Sequence, residues 1–222
     1  MEKITFVMTS CDRFDLLSKT LDSFLKLNTY PIHRYIIHED SGNLETIEKI
    51  KNKYGDFCEI IVPEKGRCQV EAIDRAYKLV DTEYIFHCEE DWLFSNNPNF
   101  ISDSLEILKN SPEINQVWIR NDAQPDWIEK NLNMVNNVPF LKIKAPHLGI
   151  WNGFSWNPGL RRKSDYLKMF PNGFSEFKGD AQKNAVSEYN CAVHSENFKY
   201  RAAILINHAC SHIGWGKSTF NH

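Results

Sequence analysis

Hydrophobic positions in the first ninety residues alternate between two periods. "ITFVMTS" (Ile4 to Ser10) is a short apolar run rich in β-branched and aromatic residues, which reads as a buried strand. From Leu16 the apolar positions are Leu16, Leu17, Leu21, Phe24 and Leu25, with Thr20 among them, one face of a helix. "HRYIIHE" (His33 to Glu39) is a second strand ending in the turn "DSGN", and a helix is expected over Leu44 to Tyr54. The strand "CEIIVP" follows, then a helix with Val70, Ile73, Ala76, Tyr77 and Val80 on one side, then the strand "EYIFHC".

This alternation predicts right-handed crossovers and an α/β fold with a mostly parallel central sheet covered by helices on both faces. In such sheets ligands bind at the carboxyl ends of the strands. Polar clusters stand at those ends: "TSCDR", "EDSGN", "EKGR" and "CEEDW". Their common position predicts one cleft lined by all of them.

After a helix over Pro98 to Lys109 the pattern loosens. "QVWIRN" and "PFLKIK" read as strands of a smaller mixed or antiparallel extension, and "GFSWNPGLRR" combines a strand with a Pro-Gly turn. A helix is expected over Asp180 to Ser195, and "YRAAILI" is a late strand. No linker, repeat or low-complexity segment divides the chain. It reads as a single domain over 1–222, with one half over about 1–95 and another over about 96–222.

Composition narrows the function classes. Hydrophobic residues make up 42% and the net charge is −3 without a basic block, which argues against nucleic acid as partner. No apolar run reaches the roughly 20 residues that cross a bilayer, and the start lacks a signal-peptide pattern. The 6 cysteines are scattered without Cys-x-x-Cys spacing, so reduced thiols and a cytoplasmic location are expected.

The chemistry concentrates in "YIFHCEEDW", Tyr84 to Trp92. Consecutive carboxylates repel one another, so the fold must leave them in water or supply a cation. In an extended segment Glu89 and Asp91 point the same way and could hold a hard divalent ion, while Glu90 faces away toward a base. Near the end of the chain, His208, Cys210 and His212 would share a strand face, which keeps a zinc site open as an alternative to core histidines. Trp151, Phe154 and Trp156 suggest either an aromatic wall for a sugar ring or a core strand.

The stretches "ITFVMTSCDRFDLLSKTLDSFLK", "HEDSGN", "GRCQVEAIDRAYKLVDTEYIFHCEEDWLF", "GFSWNPGLRR" and "HIGWG" occur in this order. Together they resemble nucleotide-sugar-dependent glycosyltransferases of the GT-A type, similar to the inverting cellulose- and chitin-synthase-like family. The resemblance covers most of the chain and implies a Rossmann-like GT-A domain with a nucleotide-binding half over about 1–95 and an acceptor half with a closing C-terminal loop over about 96–222. It implies that Asp91, with Glu89 where the family usually has Asp, and His212 near the chain's end hold Mn2+ or Mg2+ bridging the donor diphosphate. It also implies nucleotide contacts at Thr9, Ser10 and Arg13, a uracil contact at Asp40 beside Ser41, and a loop under the nucleotide at Gly66 and Arg67. Asp74 matches a donor-sugar contact, and Glu90 completes the expected cofactor-binding set. The Gly214-Trp215-Gly216 loop could close over the donor.

Inverting transfer needs a base for the acceptor hydroxyl. The candidates are Glu176, Asp180 and Glu188, with Glu188 best placed by the resemblance, although the family's acidic doublet is missing. The expected activity is metal-dependent transfer of a sugar from a nucleoside diphosphate, UDP being favoured because Asp40 suits uracil, to a hydroxyl of a glycan, protein or small molecule. A sugar-phosphate nucleotidyltransferase would need a Gly-rich loop where this chain has "TSCDRF". The non-enzyme alternative is a carbohydrate- or nucleotide-binding module on the same fold. Oligomeric state is left open.

Overall fold

The computed structural model describes residues 1–64, 68–120, 123, 125–144, 153–179 and 184–216. Strands β1 (Ile4–Ser10), β2 (Arg34–Glu39), β3 (Cys58–Ile61) and β4 (Tyr84–Glu89) are linked by helices α1 (Phe14–Leu27), α2 (Leu44–Tyr54) and α3 (Gln69–Lys78). The chain continues through β5 (Trp92–Phe94), α4 (Phe100–Asn110), β6 (Ile114–Trp118), β7 (Asn133–Val135), β8 (Val138–Lys142) and β9 (Gly159–Arg162). It ends with α5 (Lys163–Met169), α6 (Asn184–Ser195), β10 (Arg201–Leu205) and β11 (Cys210–His212).

The main sheet has 9 strands in the order β3-β2-β1-β4-β9-β6-β10-β8-β7, and only β9 and β8 run against the others. The period-two pattern of β1 explains why helices cover both faces. Ile4, Phe6 and Met8 pack with Leu17, Leu21 and Phe24 of α1 and with Phe100 and Leu105 of α4. Val7 points the other way, into a second core with Ile73 and Tyr77 of α3, Tyr166 and Met169 of α5 and Cys191 of α6. The helices of the first half follow local signals. At α2, Asn43 caps the helix by accepting the N–H groups of Glu45 and Thr46 at 3.0 and 3.5 Å.

The strand expected within "GFSWNPGLRR" is Gly159–Arg162, which runs antiparallel in the middle of the sheet, between β4 and β6, a position the local sequence did not announce. Gly159 is required there, because a Cβ would collide with the Val117 carbonyl. The two-stranded antiparallel ribbon of β5 and β11 had no alternating pattern to announce it, since both strands are 3 residues long. Helix α5, 7 residues long, was also not foreseen. All 6 cysteines are free thiols, and among the described residues no helix is long and apolar enough to cross a membrane.

Candidate active site

The carboxyl ends of β1, β2, β4 and β6 bring the polar clusters to one edge. Register places Thr9 beside both His38 and Glu89. Thr9, Ser10 and Asp40 are all at most 5% exposed. The Ser10 hydroxyl is buried and makes no hydrogen bond among the described residues, an open donor and acceptor at the strand end.

The loops after β1 and β2 are tied to each other. Asp12, in the left-handed region at φ 57°, accepts the Thr46 hydroxyl (2.7 Å) and the Asn43 amide (2.8 Å). Glu39 accepts the N–H groups of Asp12 and Ser41, each at 3.0 Å. Asp40 accepts the Cys68 N–H at 2.6 Å and lies 3.6 Å from the Arg75 guanidinium. Burial, together with Arg75, lowers the pKa of the neighbouring His38 to about 4. That ring is therefore neutral near pH 7, and its 3.9 Å separation from Asp40 is not an ion pair.

The acidic run receives a cation. Arg13, which precedes α1, donates through Nε and Nη2 to Glu90 Oε1, both at 2.7 Å, and Nη2 also reaches Asp91 Oδ2 at 2.9 Å. Thr20 of α1 fixes the backbone, its hydroxyl donating to the Glu90 carbonyl (2.6 Å) and accepting the Trp92 N–H (3.0 Å). Glu90 is thus a buried partner of Arg13, the pairing with a base that was expected, but it shares that guanidinium with Asp91 rather than facing away from it.

Glu89 and Asp91 do not share one extended segment: β4 stops at Glu89 and the chain turns over Glu90 and Asp91. Asp91 faces β11, where His212 Nε2 lies 3.3 Å from its Oδ2 and the Ile213 N–H donates to its carbonyl at 2.8 Å. Gly214 covers this carboxylate so closely that a Cβ would stand 2.8 Å from that of Asp91. Burial raises the proton affinity of Asp91, but the hydrogen bonds from His212 and Arg13 outweigh it and the pKa is lowered.

Glu89 is held elsewhere. Gln69 donates to Oε1 at 2.6 Å; with the Asn157 amide assigned from its neighbours, so that each end meets a complementary group, its nitrogen donates to Oε2 at 2.9 Å and its oxygen accepts from Arg120 at 2.7 Å and Ser155 at 3.0 Å. Arg120 stacks on the Trp118 ring at 4.0 Å. Burial, followed by the charges of Asp91, Glu90 and Glu188, raises the pKa of Glu89 to about 8. Burial raises that of Glu90 to about 7 against the pull of Arg13.

Among the base candidates, Glu188 accepts the Trp156 N–H at 3.1 Å and lies close enough to Glu89 to raise its pKa. Glu176 is exposed and bonded to Asn172 at 2.6 Å. Asp180, Gly66, Arg67 and Trp151 lie outside the described residues. Phe154 and Trp156 are 5% and 2% exposed and pack with Phe174, so they form core rather than a sugar-facing wall.

Asp74 is buried, and its carboxylate takes the N–H groups of Phe174 (2.8 Å) and Ser175 (2.9 Å) and the Tyr166 and Ser175 hydroxyls. That bonding ties α3 to the turn after α5.

Sequence reasoning missed Gln69, Asn157 and Arg120. Arg120 follows β6 at the same sheet edge, so applying the carboxyl-end rule to β6 would have found it.

The residues fit a divalent ion. Asp91 Oδ2 and His212 Nε2, 3.3 Å apart, are donor types that a divalent ion takes, and the remaining positions of a hard ion could come from phosphate and water. Among the described residues no group of three or more His, Cys, Asp or Glu is assembled to hold a metal, so the His208, Cys210, His212 zinc alternative is not formed.

No protein-family model and no curated protein matches the sequence. Solved structures do match the fold. S. aureus TarS 1-349 in complex with UDP is similar with a TM-score of 0.64 at 14% identity, over 94% of this chain and 60% of that one. The same protein in complex with UDP-GlcNAc gives 0.64 at 13% identity, over 97% and 62%. The mannosyltransferase PcManGT from Pyrobaculum calidifontis, in complex with GDP-Man and Mn2+, gives 0.64 at 14% identity, over 99% and 59%. The chain therefore has a GT-A-like glycosyltransferase fold and spans about three fifths of the length of these proteins.

Proposed function

We propose that this domain is a metal-dependent glycosyltransferase that moves a sugar from a nucleoside diphosphate to an acceptor hydroxyl with inversion, in the cytoplasm. The observation that carries the reading is the convergence of Asp91 Oδ2 and His212 Nε2, 3.3 Å apart, at the carboxyl edge of the sheet. The fold's likeness to nucleotide-sugar glycosyltransferases supports it.

In this reading Asp91 and His212 hold Mn2+ or Mg2+, which when bound supplies positive charge against the departing diphosphate. Thr9, Ser10, Asp40 and Ser41, with Gly66 and Arg67, receive the nucleotide, and UDP is the favoured donor. Glu89, bonded by Gln69, orients the donor rather than binding the ion directly. Glu188 takes the proton from the acceptor hydroxyl as the new bond forms.

The test is calorimetric titration with UDP, GDP and dTDP, each with and without Mn2+, on the wild type and Asp91→Ala. Binding of one nucleotide that requires Mn2+ and vanishes in Asp91→Ala is expected. If no nucleotide binds under any condition, the reading falls, and glycan binding without turnover becomes the one to pursue.

A further inference from the structure

The oxygen that a divalent ion would take from Asp91 already has a cation against it. We propose that Arg13 is a resident counter-cation of the acidic run, holding Asp91 in the ligand-free protein and yielding it only when a divalent ion arrives together with a diphosphate. This inference rests on the metal-dependent reading above.

The geometry divides the guanidinium unequally. Glu90 accepts from Nε and Nη2, both at 2.7 Å, whereas Asp91 Oδ2 lies 2.9 Å from Nη2, which it shares with Glu90. Glu90 is therefore the anchor and Asp91 the contact that can be released. Asp91 Oδ2 is also the atom facing His212 Nε2, so ion and guanidinium draw on the same oxygen.

The surrounding backbone decides which part moves. The Arg13 carbonyl accepts the N–H groups of Leu16 and Leu17 at 3.0 and 2.9 Å, which fixes it at the start of α1. Thr20 clamps the chain on both sides of Asp91, and Ile213 bonds the Asp91 carbonyl. The backbone on both sides of Asp91 is fixed, whereas the Arg13 side chain is 17% exposed, more than that of Glu90 or Asp91. An ion entering alone meets a guanidinium at its own ligand, and like charges in a buried site repel strongly. An ion entering with a diphosphate brings oxygens that accept the guanidinium's fork in place of Asp91. Metal and diphosphate should then bind with positive coupling, which is reciprocal between the two ligands.

The experiment measures Mn2+ affinity without nucleotide, by electron paramagnetic resonance of free Mn2+, and again with saturating UDP, GDP or dTDP, whichever binds. The variants are Arg13→Met and the double change Arg13→Met with Glu90→Gln. The double change removes the guanidinium together with the carboxyl group that anchors it, and so avoids stranding a buried carboxylate; urea unfolding checks that it folds. The double variant should bind Mn2+ alone on the order of 10-fold more tightly than wild type, and its metal–nucleotide coupling should shrink by a similar factor. If Mn2+ alone binds wild type and double variant equally, or the variant more weakly, while wild type still shows nucleotide-dependent Mn2+ binding, the Arg13 proposal is overturned and the transferase reading survives. Failure of wild type to bind Mn2+ with any of the three nucleotides overturns both.

Discussion

Asp74 separates a structural from a donor-binding role more sharply than any other residue in the fold. Its Oδ1 accepts the Phe174 N–H (2.8 Å) and the Tyr166 hydroxyl (3.1 Å), and its Oδ2 accepts the Ser175 N–H (2.9 Å) and hydroxyl. Replacing it by Ala strands at least the buried Phe174 N–H, which has no water to turn to. A hydrogen bond to a charged group contributes roughly 1.5–3 kcal/mol, and each orphaned buried donor costs about 1–3 kcal/mol. The two hydroxyls can rotate toward other partners, so Asp74→Ala should lose about 3–5 kcal/mol, at the upper end for single substitutions.

Asp74→Asn is the sharper probe. Its amide must turn an NH2 toward donors on one side, so it should lose nearly as much as Ala despite its matching shape. Urea unfolding reads both variants, with nucleotide affinity measured in parallel under conditions where each remains folded. A loss below about 1 kcal/mol in both, accompanied by loss of sugar-nucleotide binding, would refute the structural assignment and return Asp74 to the donor sugar.

Other outcomes follow from the same geometry. Gly214→Ala pushes a methyl group against the Asp91 carboxylate and should weaken Mn2+ binding in the presence of nucleotide by on the order of 10-fold, read by the same titration, while the urea midpoint stays close to wild type. Glu188→Gln should lower turnover by about 10²–10⁴-fold with donor affinity intact; unchanged turnover would exclude it as the base. His38, with its pKa lowered to about 4 by burial and Arg75, binds no proton in the folded state at pH values where the unfolded chain, near 6.5, does. Stability is therefore lost as pH falls from about 6.5 toward 4, by about 3 kcal/mol from this residue. His38→Gln should flatten the urea-midpoint difference between pH 7 and pH 4.5 by a corresponding amount, and an unaltered pH dependence would show that the ring is not the sensor.

The first half of the molecule was legible because its signals are local. Period-two apolar runs and helical faces named β1, β2, β3, β4 and the helices between them, and α2 lies at its expected bounds, Leu44–Tyr54. The carboxyl-end rule then gathered Ser10, Asp40 and the acidic run at one edge before any contact was known. Burial and non-local pairing decided the rest.

No periodicity could place β9 in the middle of the sheet, because its position depends on the facing backbones of β4 and β6. Nor could spacing show that the chain turns after Glu89, sending that carboxylate to Gln69 and Asn157 and Asp91 to His212. The sequence by itself determined that three adjacent acids needed either water or a cation. Only the tertiary structure decided that Arg13, 77 residues away from Glu90 in the chain, is that cation, because side-chain direction at a strand's end is set by where the backbone bends.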